Sequence, residues 1–575
     1  MKLTPLYWLT SAALIIGFVG ISTRREALAK AHEHPARISQ KEKLKLAQAQ
    51  PSANGQTCAQ LAPGSIVEDP LEIDSDKATD LIVNADPNNP GQNCFLYNDK
   101  KSGLQEAPTL RVKPGKSIVL NLKNALPGEQ LNKNPCPWDG GMPPLNATSL
   151  HYHGLNVSPE CGQDNSVQTV VTPGQTFSYN IAVSKDEPPG LYWYHPHVHM
   201  QAESQVLSGL TGNIVVEGMG KFNKQADKLP ERVFVLRDLV PLSDFSTEPA
   251  PFEPPAKDVS INAVPIRYLG QGKYDPPAVI QMRPNEEQFW RVANTSADNI
   301  LDLQVTYDGA VQQLRLVGMD GVPVNADVAK PEGQTLPVNH VLLAPGGRAE
   351  FIIKGPGEAV KEAKFLTLKY DTKADIDPQR TIARIEAVGQ PAKPAKEKAK
   401  QEVDLTQITG DRFYGLNQVS PNKARTLFFS QKDFPAPTPD DPNATRTEFY
   451  MTEEGKEPQV YMMGKPPAIT LKEGTTEDWT VENRAEEAHV FHIHQIHFLV
   501  LDSSQQAADI GMVRDTITVP AWDGKGPFPK VRLRMDFRGA GTGKKTTSIA
   551  GLFFYHCHIL EHEDGGMMQE IRITP

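Results

Sequence analysis

The chain has 575 residues, about four times the length of a typical domain, and this length predicts several domains. Its 69 acidic and 59 basic side chains give a formal net charge of −10, which argues against nucleic acid as the main partner because phosphate binding needs clustered Lys and Arg. The 43 glycines and 49 prolines favour a β protein that is rich in turns.

The N-terminus has the order of a secretory signal. Lys2 precedes an apolar stretch over residues 6–22, and the Ala-Leu-Ala of residues 27–29 offers a cleavage site of small residues. We therefore predict a signal peptide or anchor over residues 1–29 and a disordered leader over 30–57. The protein is expected to be exported, to the periplasm or outside the cell, with no membrane contact unless the N-terminal segment is retained.

The five cysteines are unevenly distributed. Cys58, Cys94, Cys136 and Cys161 lie in the first third of the chain, whereas Cys557 stands alone near the C-terminus between two histidines. Export permits disulfides, and four cysteines allow three connectivities. Pairing of Cys58 with Cys94 and of Cys136 with Cys161 is our working hypothesis, and Cys557 is then a candidate reactive or metal-binding thiol.

An internal repeat divides the chain into three parts. An apolar, extended segment that contains a turn and ends in Asn occurs three times, over residues 112–124, 282–294 and 471–483. The alternation of apolar and polar residues is typical of half-buried strands, and repeats this far apart fit β-sandwich domains. We predict an all-β fold with domains over residues 58–222, 223–400 and 401–575. Residues 391–400 are expected to form a charged linker or an exposed helical turn.

Four His-x-His motifs carry the predicted chemistry. They are His151/His153, His195/His197, His492/His494 and His556/His558. On a strand both imidazoles of a motif face the same way, roughly 6.5–7 Å apart, which suits two neighbouring ions better than one shared ion. Eight such imidazoles could bind three metal ions. Copper has the highest affinity for such ligands among the divalent first-row metals.

A second metal site is predicted on the opposite face of the same strands. Cys557 lies between the two histidines of the fourth motif and must point away from them, and His489 lies three residues before the third motif. The candidate ligands of this site are His489, Cys557, His562 and Met567. Two imidazoles, a thiolate and a thioether form the ligand set of a blue-copper electron-transfer site.

These motifs resemble the multicopper oxidase family over nearly the whole chain after the leader. The run from His556 to Met567, with its His-Cys-His and Glu-His-Glu-Asp segments, is most similar to bacterial laccases and copper-efflux oxidases. The resemblance implies three consecutive cupredoxin-like Greek-key β-sandwich domains, of which the middle one binds no copper. It also implies four copper ions: one type 1, one type 2 and a type 3 pair.

The resemblance also assigns ligands and a reaction. Type 1 copper takes His489, Cys557, His562 and Met567; type 2 copper takes His151 and His492; the type 3 pair takes His153, His195, His197, His494, His556 and His558. The implied reaction is four one-electron oxidations of a small reducing substrate at type 1 copper, coupled to reduction of dioxygen to two waters at the other three ions.

Three acids are candidate catalytic residues. Glu563 follows a predicted ligand and resembles the family's proton relay to dioxygen; a structural ion pair is the alternative. Asp164 resembles the family's acid near type 2 copper. Asp515 is either a hydrogen-bond partner of a substrate near type 1 copper or part of a turn at a strand end. His497 is expected to face the type 1 side, mainly as a packing residue.

The substrate is predicted to be a phenol or an aromatic amine. Copper-efflux members carry a Met-rich insertion before or within the third domain, but residues 372–425 contain no Met, and the basic stretch 393–400 would repel a cation. The alternatives are a metallo-oxidase of Cu(I) or Mn(II) and an exported copper-binding protein without turnover. We expect a monomer.

Overall fold

The computed structural model describes residues 58–59, 61–99, 103–139, 141–324, 334–392, 401–402, 412–413, 415–437, 444–539 and 547–575. The predicted signal or anchor, the leader and the basic stretch 393–400 lie outside this part of the chain. The described residues, apart from those between 433 and 447, form one compact unit, and the site described below lies within it. None of the helices in the described ranges is long and apolar enough to cross a membrane.

The first ten strands form two five-stranded sheets. In spatial order, the strands of one sheet are Gly103–Glu106, Asn93–Asp99, Thr79–Ala85, Ser117–Asn124 and Thr176–Ala182. Those of the other are Glu72–Asp74, Thr109–Val112, Gly212–Val216, Gly190–His195 and His151–His153. Apolar side chains alternate along these strands, and those of both sheets are buried in one cluster between them.

The next part of the chain forms a nine-stranded sheet, a six-stranded sheet and two hairpins. The nine-stranded sheet comprises Val264–Ile266, Asp258–Ile261, Glu231–Leu239, Glu287–Asn294, Arg348–Lys354, Leu314–Met319, Gln334–Val338 and Gln401–Glu402, with Val322–Pro323 paired to Leu314–Met319. The six-stranded sheet comprises Ala278–Met282, Arg380–Ala387, Ala363–Leu368, Leu301–Tyr307 and Ala310–Val311, with Val341–Leu343 paired to Leu301–Tyr307. The hairpins are Tyr268–Gly270 with Lys273–Tyr274, and Tyr370–Asp371 with Ile376–Asp377.

The last strands again form two sheets around an apolar core. The six-stranded sheet comprises Thr445–Glu453, Lys423–Pro435, Thr475–Asn483, Lys530–Phe537, Phe498–Ser503 and Val513–Arg514. The five-stranded sheet comprises Ile469–Lys472, Met568–Thr574, Gly551–Cys557, His489–Ile493 and Thr516–Val519. The described helices are short: α-helices Ala202–Leu207 and Leu560–Asp564, and 3-10 helices Met219–Lys221, Ala226–Lys228 and Ala507–Asp509.

Each of the three sequence repeats ends in the same hydrogen-bonded arrangement. Each repeat ends in an Asn at the end of a strand, namely Asn124, Asn294 and Asn483. In all three, the amide nitrogen donates to backbone carbonyls of neighbouring loops, and the amide oxygen accepts from the backbone N–H two residues later. The predicted all-β, cupredoxin-like fold is confirmed, whereas the exact domain limits stay predictions.

Both predicted disulfides are present. Cys58 is bonded to Cys94, and Cys136 is bonded to Cys161 across a sequence separation of 25 residues. The second bridge ties the loop before the first His-x-His strand to the loop that carries Asp164. Cys557 is a free, buried thiol.

Candidate metal centres

The four His-x-His segments meet in the interior of the protein. Antiparallel pairing places His151 opposite His195 in one sheet, and the third and fourth motifs pair in the same manner in another sheet. Rings from the two sheets then stack: His151 on His494 with centroids 3.7 Å apart, and His153 on His492 at 3.9 Å. All eight imidazoles are at most 1% exposed. The structure thus brings together every histidine of the four motifs.

The ring nitrogens of this histidine cluster are arranged for metal ions. Three sets of nitrogens each lie within 4.8 Å of one another: those of His151, His153 and His195, of His151, His492 and His494, and of His197, His494 and His556. Several buried nitrogens have no hydrogen-bond partner among the described residues, including His151 Nε2, His153 Nδ1, His195 Nε2, His492 Nε2 and both nitrogens of His558. Unpaired buried nitrogens are costly unless a metal ion binds them.

The protonation state of these imidazoles also supports metal binding. Burial, reinforced by the neighbouring histidines, lowers the pKa of His151, His153, His195, His492, His494 and His558 well below the usual value. A buried imidazole with a lowered pKa is neutral at pH 7, and the neutral ring is the form that binds a metal. The donor set therefore fits copper, the cofactor predicted from the sequence.

The second predicted site lies on the other face of the strand that ends at Cys557. The Cys557 sulfur is 3.7 Å from Nδ1 of both His489 and His562, and these two nitrogens are 3.0 Å apart. Met567 is fully buried, and its backbone pairs with Cys557 and His562. Burial raises the pKa of the Cys557 thiol to about 12, so a thiolate here requires a bound cation.

One side of this Cys557 centre reaches the protein surface. His489, Cys557 and Met567 are completely buried, whereas His562 is 5% exposed. The ring of Phe449 stacks on His562 with centroids 4.3 Å apart. An oxygen of Glu487 lies 3.6 Å from His562 Nε2, and this acid was not predicted from the sequence. The only sequence signal for it is its place two residues before His489.

Two predicted acids lie against the histidine cluster. Asp164 accepts from the backbone N–H of Tyr152 at 3.0 Å, and its carboxylate is 3.0 Å from His151 Nδ1. Burial raises the pKa of Asp164 to about 7. Glu563 is fully buried, with one oxygen 3.0 Å from Nδ1 of His556 and the other 3.6 Å from Nε2 of His197. Both acids are therefore in position to act on groups at the cluster.

The substrate-contact hypothesis for Asp515 is wrong. This side chain is fully buried beside the histidine cluster, where its carboxylate is 3.2 Å from His153 Nε2 and forms an ion pair with Arg348 at 2.6 Å. Burial alone would raise the pKa of Asp515, but the Arg348 guanidinium lowers it below its usual value. The strand Thr516–Val519 pairs with His489–Ile493 and thereby carries the preceding Asp515 to the cluster.

The expected orientation of His497 is also wrong. Its Nε2 donates to the backbone carbonyl of Asp320 at 3.0 Å and lies 3.6 Å from the Asp515 carboxylate, so it belongs to the cluster side. The strand alternation fails because the strand ends at Ile493 and Gln495 has a φ of +57°. A residue in the left-handed region turns the chain and changes the face on which later residues lie.

The middle sheets contribute two residues that the sequence did not reveal as part of the site. Arg348 binds Asp515, and a Cβ atom at Gly346 would lie 2.9 Å from His153 and 3.1 Å from His558. Both residues follow Pro345 in the Ala-Pro-Gly-Gly-Arg segment of residues 344–348. That segment marks a turn but carries no metal-ligand residue, so the sequence offered no sign of its location.

Comparison with known proteins gives a consistent result. Two family models for multicopper oxidases match the chain, one over residues 145–220 and the other over residues 433–575. The multicopper oxidase mco of Staphylococcus haemolyticus strain JCSC1435 is 24% identical over 501 residues, covering 84% of each chain. The laccase of Bacillus subtilis strain 168 is 24% identical over 532 residues, covering 84% of this chain and 91% of the laccase.

Solved structures share the fold. A multicopper oxidase from Campylobacter jejuni, described as a metallo-oxidase, superposes with a TM-score of 0.62 at 22% identity and covers 92% of this chain and 99% of its own. The McoA multicopper oxidase of Aquifex aeolicus gives a TM-score of 0.60 at 18% identity, with 90% of this chain and all of its own covered.

Fold and donor sets together define a copper protein built from cupredoxin-like β-sandwiches. The chain matches two multicopper oxidase family models over segments that contain all twelve predicted copper ligands, and the curated relatives and solved structures support membership of that family. It is therefore a copper-dependent oxidoreductase that uses dioxygen.

Proposed function

We propose that the protein is a laccase-like oxidase of phenols or aromatic amines, which reduces dioxygen to water with the electrons it removes. Type 1 copper would be held by His489, Cys557, His562 and Met567, type 2 copper by His151 and His492, and the type 3 pair by His153, His195, His197, His494, His556 and His558. Copper in these sites supplies one-electron oxidation of the substrate and four-electron reduction of dioxygen.

The observation that carries this proposal is the position of Cys557. Its sulfur faces His489 and His562, while its chain neighbours His556 and His558 belong to the histidine cluster. Electrons that enter at the Cys557 centre therefore have a short covalent route to the cluster. A protein that only stores copper needs no such connection between its sites.

The substrate would deliver its electron at His562. Among the four donors of the Cys557 centre, His562 alone retains some accessible surface, 5%, so a substrate that touches its edge is separated from the sulfur by one imidazole ring. His489 offers no such route, because it is completely buried.

Glu487 supports a substrate that donates a hydrogen bond. Its carboxylate lies beside the exposed edge of His562, and the side chain of Glu487 is 10% exposed. A phenol hydroxyl or an aromatic amine can donate to this carboxylate, which would also take up the proton released on oxidation. The same negative charge would attract a reducing metal ion, and this observation favours oxidation of Cu(I) or Mn(II) as the second candidate function.

Glu563 and Asp164 would transfer protons to groups at the histidine cluster. Reduction of dioxygen consumes four protons in a site whose histidines are buried, so protons must be carried in by side chains. Glu563 contacts His556 and lies close to His197, which are proposed ligands of the type 3 pair, and Asp164 contacts His151 on the type 2 side.

We also propose that the protein is exported to the periplasm or outside the cell. The two disulfides support this proposal, because such bonds persist in oxidising compartments and are rare in the cytosol.

Turnover of an electron-rich phenol, Cu(I) and Mn(II) should be compared on the copper-loaded protein. We expect phenol oxidation without added copper ions. The Glu487→Gln variant should lose about tenfold or more in kcat/KM for the phenol, since a hydrogen bond to a charged group contributes about 1.5–3 kcal/mol. The neighbouring, exposed Glu486 provides a control: Glu486→Gln removes the same charge and should leave phenol turnover unchanged. Phenol oxidation that appears only with excess Cu(II), together with rapid oxidation of Cu(I) alone, would make the protein a metallo-oxidase.

A further inference from the structure

We propose that Arg348, which comes from the sheets without copper ligands, is a positioning residue for the histidine cluster. Through the Asp515 carboxylate it determines which ring nitrogen of His153 is available to bind metal, and it holds in place the residue whose backbone carbonyl does the same for His492. This inference rests on the ligand roles proposed above.

Arg348 is completely buried where three parts of the chain meet. Its two terminal nitrogens bind the two oxygens of Asp515 at 2.8 and 2.6 Å, a fork that fixes the plane of the carboxylate. Its Nε donates to the carbonyl of Leu191, and one terminal nitrogen also donates to the carbonyl of Gly346. The guanidinium therefore holds Asp515 against both the first and the middle sheets.

The glycine after the first His-x-His motif makes room for this pair. Gly154 has a φ of +88°, and a Cβ atom there would lie 2.4 Å from an Arg348 nitrogen and 2.6 Å from an Asp515 oxygen. Only a residue without a side chain allows the strand of His151 and His153 to approach the ion pair so closely. The motif and the ion pair thus fit each other sterically.

Asp515 accepts hydrogen bonds from two proposed ligands, with its side chain from one and with its backbone carbonyl from the other. Its carboxylate accepts from Nε2 of His153 at 3.2 Å, and its backbone carbonyl accepts from Nδ1 of His492 at 2.9 Å. This leaves Nδ1 of His153 and Nε2 of His492 buried without a hydrogen-bond partner among the described residues. Since a ring nitrogen that carries a proton cannot bind a metal, Asp515 selects the binding atom of each ring.

The competing explanation is that the ion pair of Arg348 and Asp515 only stabilises the fold. A neighbouring ion pair provides the comparison. Arg514 is also buried and binds Asp320 at 2.6 Å, but its other partner is Asp509, not a residue that contacts a ligand histidine. The matched test compares Arg348→Lys with Arg514→Lys. Both variants keep the positive charge, and both lose the planar fork of Arg.

The readouts are copper retention at the cluster and the EPR spectrum of the type 2 ion, measured beside the blue colour of the Cys557 centre. We expect Arg348→Lys to remain blue, to release cluster copper to a chelator about 10- to 100-fold more readily, and to show an altered type 2 spectrum. Arg514→Lys should behave like the original protein in all three measurements.

A neutral double variant, Arg348→Met with Asp515→Asn, tests whether the effects of Arg348→Lys come only from loss of folding. It should fold, because neither partner is left as an unpaired buried charge. We expect its copper-free form to be as stable as the original and its cluster copper still to be labile. Unchanged retention and spectra in both Arg348 variants would overturn the inference, as would equal losses in Arg514→Lys. Original protein that binds copper only at the Cys557 centre would overturn the proposed function and this inference together.

Discussion

Replacement of Gly346 by Ala should damage the histidine cluster through a single methyl group. Gly346 has a φ of +85°, and its added Cβ would lie 2.9 Å from His153 and 3.1 Å from His558. Carbon atoms in contact normally lie about 3.5–4.0 Å apart, so the two rings must retreat by about 0.5 Å. Catalytic groups tolerate displacements of about that size at most.

The expected effect has two separable parts. The left-handed backbone of an Ala at this position costs about 1–2 kcal/mol in the free energy of unfolding. The displaced rings should in addition slow reoxidation by dioxygen about tenfold or more and lower the copper content of the cluster. The Cys557 centre should be reduced by substrate at the original rate, because the contacts of Gly346 lie on the cluster side.

Gly309→Ala is the matched control. Gly309 has a φ of +80° in an exposed turn of the same part of the chain, and among the described residues other than its two chain neighbours no heavy atom lies within 4 Å of the Cβ it would gain. Urea unfolding of the copper-free proteins should show similar losses for the two variants. Stopped-flow measurement of the bleaching and recovery of the blue band should distinguish the two variants. Normal recovery and full copper content in Gly346→Ala would refute the reasoning.

Three further outcomes are expected. Cys557→Ser should abolish the blue colour and substrate oxidation while copper stays at the histidine cluster; a Ser variant that remains blue would exclude Cys557 as the thiolate donor. Glu563→Gln should leave reduction by substrate fast and slow the return of colour with dioxygen, whereas equal slowing of both steps would indicate damage to His562 next to it. Replacement of Cys136 and Cys161 by Ala should lower the free energy of unfolding by about 3–4 kcal/mol, given the 25-residue separation, with chemical unfolding as the measurement; an unchanged midpoint would contradict this estimate.

Strand alternation accounts for most of what the sequence predicted correctly. It separates Cys557 from its flanking histidines, and it places both imidazoles of each motif on one face, as the structure shows. The alternation of side chains does not extend to His497, because the strand ends at Ile493 and Gln495 turns the chain. The pairing of Arg348 with Asp515 escaped prediction for another reason. They are 167 positions apart, and their contact depends on packing between sheets that no local pattern encodes.

The stacked rings of the histidine cluster also determine when the cluster can come into existence during synthesis. His151 rests on His494, and His153 rests on His492, so each stack needs a residue from an early and a late part of the chain. A truncated or interrupted translation product would therefore hold only unmatched imidazoles, and it would lack the centre that reacts with dioxygen. The Cys557 centre draws all four donors from residues 489–567 and is likewise completed last. Chains that end before residue 489 therefore lack the third and fourth motifs and all four donors of the Cys557 centre, and they are unable to start dioxygen chemistry.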